Sequence, residues 1–414
     1  SFLFFHLFIS SHYHIIPPFR YLSVIILALA LGGFCIWTTE FVAMGLIQEI
    51  SQSFKLSIPV TGHFISAYAL GVTIGAPVIA ILAAKVPRKT LLIGLMLFYG
   101  IANASTALAN SYESMLVSRF IAGFPHGAYF GIAALVVAEF AGKQKRASAV
   151  AMLMMGLNVA TVIGVPFATW LGQLYGWRAG FEFSASIAFL TVVAICFGLP
   201  KMQLDHTASI QNELRGLKNT QMWMTLAVGA IGFGGLFSVY SYVSPILTEY
   251  THASIQVVPF ALACIGLGLV IGGAVAGHFA DKNLNKAIIW VLISNACSYV
   301  LCALAMDHLA TALIALFLVS FSIAGLGPLL QTRLMDVAGH AQGLAASLNH
   351  SAFNIANAFG AFIGGWLISQ NLGWLAPIWV GTLLSLGGLI ILLLAFQHEK
   401  KSMSISKDDV NQTC

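Results

Sequence analysis

Charge is scarce in this chain, with 14 acidic and 19 basic residues among 414, or 8% of the total. A soluble domain carries about a quarter charged residues, so this sequence cannot clothe a water-facing surface of its own size. Cysteine is thin as well. Cys35, Cys196, Cys264, Cys297 and Cys302 fall singly within apolar runs, Cys414 stands at the end, and no Cys-x-x-Cys spacing occurs. That excludes a disulfide framework and a thiolate zinc site and leaves buried apolar thiols. No Gly-x-x-x-x-Gly-Lys-Ser/Thr segment is present, so the chain has no loop to cradle nucleotide phosphates and its work must be driven by a gradient. No set of nucleophile, base and acid gathers near one end of the apolar runs, which removes the basis for a membrane-embedded acyltransferase or protease. His12-x-His14, in an apolar leading stretch that includes Pro17-Pro18, falls short of a metal site, and no cofactor is expected. The same stretch lacks the basic start and small-residue cleavage site of a signal peptide.

Apolar length is abundant. Hydrophobic residues make up 59% of the chain and the mean hydropathy is +0.89. Runs of about 20 apolar residues, enough to cross a hydrocarbon core, occupy 22–46, 61–84, 90–109, 114–138, 148–171, 179–199, 221–248, 257–280, 287–305, 311–330, 343–369 and 375–396. Helix is the expected state of each, because an open strand at that depth leaves backbone groups unpaired. With both ends cytoplasmic, sixteen of the 19 basic residues fall on the inner side, from Arg20 through the Lys85/Arg88/Lys89 and Lys143/Lys145/Arg146 loops to Lys407. Lys55 and Arg178 alone fall outside, and Arg119 lies within a span. The net charge of +5 is therefore read as orientation, not as a nucleic-acid surface. The basic residues also meet lipid headgroups.

The chain repeats itself. Tyr68-Ala-Leu-Gly71 to Gly75, Ala84-Lys85 and Lys89 align with Ile265-Gly-Leu-Gly268 to Gly272, Asp281-Lys282 and Lys286 at an offset of 197. Asn158, Gly164 and Trp170-Leu171 fall on Asn354, Gly360 and Trp366-Leu367 at 196. Duplicated membrane bundles build solute sites between their halves. The expected organisation is a tail at 1–20, a six-helix bundle at 21–199, a charged linker at 200–220, a second bundle at 221–396, and a polar, mobile tail at 397–414. The loop Gly277-His-Phe-Ala-Asp281-Lys282 has two readings. It is a cytoplasmic latch, with Gly277 letting helices approach and Asp281 meeting a helix N-terminus, or a basic turn that sets orientation. Gly156, Gly164, Pro166 and Gly172 predict close packing and a bend in the fifth helix.

Ionisable residues inside a span are functional candidates. Glu40 and Arg119 sit about six residues from the outer ends of antiparallel helices, on the order of 9 Å deep at 1.5 Å per residue, and are expected to pair. A static pair that fixes packing is the plainer alternative. His126 lies two turns from Arg119 on the same face, as a second protonatable group or a hydrogen-bonded helix residue. Asn158, Asn354, Asn357 and His350 are polar at lipid depth and should face protein or a water-filled cavity. Matching Gly32-Gly33 to Gly234-Gly235 and Ala122-Gly123 to Ala324-Gly325, each at 202, sets Tyr242 opposite Glu40 and Phe321 opposite Arg119. The expected site thus has proton-handling residues in the first half. Trp37 and the second-half aromatics Phe233, Phe237, Tyr240 and Tyr242 form a wall for solute.

Several stretches together resemble the major facilitator superfamily. They are Thr39-Glu40-Phe41-Val-Ala-Met-Gly45-Leu46, Tyr68-Ala-Leu-Gly71, Ser118-Arg119 to Pro125-His126-Gly127, Gly156-Leu-Asn158 to Gly164-Val-Pro166, Gly176-Trp177-Arg178, Tyr240-Ser-Tyr242-Val-Ser-Pro245 and Gly277 to Asp281. Over residues 21–396 the chain is similar to the twelve-helix drug/proton antiporter group, and within it to the sugar-efflux or arabinose-efflux-permease branch. Two departures stand out, Ala84 where the first loop copy usually has Asp and Gln48 where relatives commonly have Pro. The resemblance implies an all-α membrane protein, twelve transmembrane helices in two pseudo-symmetric six-helix bundles. It implies an inner-membrane exporter of a small amphipathic or sugar-like solute, coupled to protons and working as a monomer. Import by symport or uniport, and a sensor without flux, are the alternatives.

The charge distribution predicts that reporter fusions after Lys89, Lys218 and Lys401 read cytoplasmic and one near Ser111 reads external. An external reading at Lys218 breaks the six-plus-six arrangement.

Overall fold

The computed structural model describes residues 18–82, 86–202, 219–280, 283–338 and 342–412. Among them twelve helices are long and apolar enough to span a membrane: α1 Leu22–Gly45, α2 Ile58–Ile79, α3 Arg88–Ala107, α4 Tyr112–Gly142, α5 Met152–Tyr175, α6 Arg178–Gly198, α7 Thr220–Tyr240, α8 Ile255–Phe279, α9 Leu284–Ala305, α10 Leu309–Val337, α11 Leu348–Ser369 and α12 Ala376–Lys401. No strand occurs among the described residues. The starts are set by local chemistry. Ser111 and Ser114 form a reciprocal capping box before α4, and Asn219 and Asn283 accept from the amides of Gln221 and Lys286 at the starts of α7 and α9, each at 2.9 Å. Helical backbone continues from α4 into α5 except at Gly142, whose φ of +71° is open to glycine without a Cβ clash.

The repeated glycines do the same packing job twice. A Cβ on Gly71 or Gly75 in α2 would collide with the backbone of Phe120 or Phe124 in α4. In the second half, Gly268 and Gly272 of α8 meet the backbones of Phe317 and Phe321 in α10 in the same way. The packing therefore pairs Phe124 with Phe321 at an offset of 197, which corrects the expected match of Phe321 to Arg119. At that offset the mate of Arg119 is Leu316, a buried apolar side chain.

The fifth helix departs from regular α geometry where its glycines and proline cluster. A π-turn at Ala160–Gly164 directly precedes Pro166, widening the helix where the ring would strike the preceding turn. Gly156 and Gly164 lie against Ala30 and Thr38 of α1, and Gly172 against Leu46 just beyond it, so the small residues let the two segments pack closely. Gly277 differs from its expected role. No atom of the described residues lies within 4 Å of a Cβ placed there, and it makes no close helix approach among them. Asp281 and Lys282, with Ala84 and Lys85, lie outside the described residues, as do most of the linker and residues 1–17. At the end of the chain, helical backbone runs Ala376–Gln412, well past the apolar run at 375–396.

The halves meet along α2 with α11 and α5 with α8. On the face that carries residues 46–57, side chains bridge them. Gln48 donates to Thr248 Oγ1 at 2.6 Å and accepts from Ser244 at 3.0 Å. Ser66 donates to the carbonyl of Ala358 at 3.0 Å, and Gln173 to that of Ile255 at 3.1 Å. On the opposite face the ion pairs Arg88–Glu139 (2.5 Å) and Arg333–Glu399 (3.0 Å) each lie within one half. The molecule is thus fastened across its halves on the 46–57 face.

Larger side chains at the α2–α4 contact should destabilise the first half. Gly123→Val, whose Cβ would meet the carbonyl of Tyr68 and the amide of Val72, should cost about 1–3 kcal/mol. In detergent it should melt well below wild type, while Gly277→Ala should melt with it.

Candidate functional site

A polar knot lies in the interior of the first half. Tyr99 (α3) donates to the carbonyl of Ile36 (α1) at 3.2 Å, which uses its one hydrogen. The Tyr68 hydroxyl (α2), 2.9 Å from that of Tyr99, must then be the donor between them. Its oxygen is left to accept from His126 Nδ1 (α4) at 3.1 Å. This order puts a hydrogen on Nδ1 of His126 and links four helices. Glu40 Oε2 is 3.9 Å from the same nitrogen.

Glu40 is 3% exposed. Its Oε1 accepts from Asn357 Nδ2 of α11 at 2.9 Å, and its Oε2 has no hydrogen-bond partner. Arg119 is fully buried, and none of its three guanidinium nitrogens has a hydrogen-bond partner. The expected pairing of the two is corrected here. They form no ion pair, and Arg119 instead lies over the Tyr68 ring at 4.3 Å with the Phe181 ring at 5.3 Å. The cause is tertiary. Close packing of glycines in α2 and α4 brings the Tyr68 ring beneath the guanidinium, where ring-face attraction holds the cation, and Asn357 from the other half takes the carboxylate.

The remaining candidates divide. Asn354 and Asn357 are both buried on α11, and each has an unpartnered Oδ1. The Trp37 indole N–H and the Tyr240 hydroxyl are buried and unpartnered as well. Phe41 packs on Trp37 (5.2 Å), Tyr240 (4.9 Å) and Phe237 (6.2 Å). Phe233 joins through Phe237 (5.6 Å) and Phe353 (4.7 Å). His350 stacks on Phe130 across the halves at 6.0 Å. Asn158 is exposed, unlike its buried repeat mate Asn354. Tyr242 belongs to the fastened face: its hydroxyl donates to Ala361 O at 2.6 Å and its ring abuts Gly62 and Gly365. Both were expected in the solute cavity; Tyr242 differs from the residues gathered around Glu40 in its partners and Asn158 in its exposure.

Tyr68, Tyr99, Phe41 and Gln48 are site residues that the sequence did not single out. Tyr68 stood within a repeated motif, and Gln48 as a departure from the family pattern. Gln48 and Ser244 are 196 residues apart and clasp each other across the halves. Beside them, Glu49 lies beyond the spanning part of α1, where burial pushes its carboxyl above the usual carboxylate range despite a hydrogen bond from Gln173. A cavity of about 520 Å³ opens on this face between Ser57-x-Pro59 and Trp374, and none of the candidate residues lines it.

The twelve-helix duplicated fold with an ionisable site between its halves defines a membrane transporter. The chain matches the Major Facilitator Superfamily over residues 29–340 and 226–410, and it belongs to that family. It is 37% identical to "Inner membrane transport protein YdhP" of Escherichia coli (strain K12) over 92% of this chain and 97% of that protein. It is 27% identical to a "Probable sugar efflux transporter" of Helicobacter pylori (strain ATCC 700392 / 26695) over 89% and 92%. A D-xylose–proton symporter structure superposes with a TM-score of 0.72 at 17% identity, over 90% of this chain and 97% of that one, which shows a shared fold.

Removing the clasp should loosen the fastened face. A cysteine at Ser66, buried at the α2–α11 contact, should react several-fold faster with a membrane-impermeant maleimide when Gln48→Ala is added. Equal rates would show that Gln48 does not hold the face shut.

Proposed function

We propose that the chain is an inner-membrane antiporter, which exports a small amphipathic or sugar-like solute in exchange for protons by alternating access. In this reading both ends face the cytoplasm, as the basic residues favour. The fastened 46–57 face is then the outer one. The observation that carries the reading is Glu40. It is a buried carboxyl within a span, with one oxygen unpartnered and the other bonded to the opposite half. Burial favours the neutral form of a carboxyl, and donors and cations favour the charged one. A solute that brings a donor to Glu40 shifts that balance and displaces a proton. Protonation and solute occupancy then exclude one another, and each favours a different orientation of the halves.

The unpartnered polar groups of Trp37, Asn354, Asn357 and Tyr240, beside the aromatic rings of Phe41, Phe233 and Phe237, suit a solute with hydroxyls and an apolar face. The efflux name of the Helicobacter pylori relative favours export over import. Asp281 and Lys282 enter this scheme as the cytoplasmic latch.

Candidate solutes, pentoses and hexoses first and amphipathic cations next, are screened by thermal shift. Protein in lightly buffered detergent should release protons when a binding solute is added, and Glu40→Gln should bind the solute without releasing them. In proteoliposomes Glu40→Gln should lose proton-driven accumulation and keep exchange. Equal proton release from the two proteins removes Glu40 from the mechanism, and accumulation in the direction of proton entry makes the protein a symporter.

A further inference from the structure

The one hydrogen bond that Glu40 receives comes from the other half of the molecule. Asn357 Nδ2 reaches Oε1 at 2.9 Å across 317 residues of sequence, and Asn357 is fully buried. None of the other groups around the carboxyl bonds to it in this arrangement. On α1 the hydroxyls of Thr38 and Thr39 donate to the carbonyls of Phe34 and Cys35. On α2 and α3 the hydroxyl hydrogens of Tyr68 and Tyr99 are committed within the knot. On α4 Arg119 makes no ion pair with the carboxylate, and His126 stands 3.9 Å from Oε2 with its Nδ1 hydrogen directed to Tyr68. On α7 the Tyr240 hydroxyl has no hydrogen-bond partner, so it does not bond to Glu40. On α11 His350 stacks on Phe130.

A hydrogen bond to an ionised acceptor is about twice as strong as its neutral counterpart, and a buried carboxylate stripped of its donor is strongly unfavourable. The halves therefore separate at α1 and α11 at least cost when Glu40 is protonated, or when a solute supplies the donor that Asn357 withdraws. We propose that Asn357 is a positioning residue that locks the 46–57 face shut whenever Glu40 is ionised and unliganded. The empty, deprotonated carrier then cannot reorient, and exchange becomes obligatory. The lock rests on the assignment of Glu40 as the proton site, and the test separates the two.

The full chain, with its native cysteines replaced, is reconstituted in lipid nanodiscs without solute and carries spin labels at Gln52→Cys and Gln370→Cys, exposed positions on the fastened face in opposite halves. Pulsed EPR distances are read at acid and at alkaline pH. Wild type should be closed at alkaline pH and gain an open population on acidification. Asn357→Leu should show an open population several-fold larger than wild type at alkaline pH and little further change on acidification. Glu40→Gln should behave likewise, and the double variant should add nothing, as for two residues acting through one contact. Asn357→Ala serves in the same assay if the leucine variant does not fold. If Asn357→Leu or Asn357→Ala follows the wild-type pH response while Glu40→Gln does not, the lock is overturned and the proton site stands. If Glu40→Gln itself follows wild type, the proton assignment falls with it.

Discussion

A carboxyl group held at membrane depth must draw its hydrogen bonds from protein, and Glu40 draws its one such bond from the far side of the molecule. That constraint joins the chemistry of the first half to the position of the second. The surrounding polar groups are arranged so that none competes. Tyr68, Tyr99 and His126 pass their hydrogens along to the carbonyl of Ile36, and Arg119 is occupied with the face of Tyr68. The carboxyl is left with a donor that moves when the halves move. In a medium without water the bond is worth more than it would be at a surface, so a single amide can bias the orientation of two six-helix bundles.

Duplication supplies the frame, and divergence supplies the function. Gly71 and Gly75 in one half and Gly268 and Gly272 in the other bring a helix pair to backbone contact, and this packing requires only the absence of a side chain. It is indifferent to what the neighbouring residues do. Arg119 in the first half has Leu316 as its mate in the second, and the second half uses Asn295, Ser322 and Ser385 as neutral glue among α9, α10 and α12. The same scaffold thus holds ionisable groups on one side and neutral or aromatic ones on the other. The site forms where these unlike faces meet.

Much of the site was legible at the level of residue type. A charged or amide side chain in an apolar run is conspicuous because the hydrocarbon penalises it, and Glu40, Arg119, His126, Asn354 and Asn357 were all found that way. Asn158 was conspicuous for the same reason, yet it is exposed where the others are buried. Tyr242 was carried to Glu40 by an alignment of glycine pairs that packing does not support. Tyr68 was hidden because a tyrosine in a membrane helix is unremarkable until its ring is seen beneath a guanidinium.

The sequence by itself determined the number of helices, their approximate limits, the duplication and the family. These follow from lengths and periodicities that a bilayer imposes on any chain, locally and one span at a time. The tertiary structure alone decided who holds whom. The depth of Glu40 and Arg119 along their helices was readable, but the rotation of each helix and the identity of its neighbours were not. Those depend on glycine contacts between helices and on an amide 317 residues away. Depth is a property of one helix and pairing is a property of two, and so the expected ion pair gave way to a cation over an aromatic ring and a carboxylate bonded across the halves.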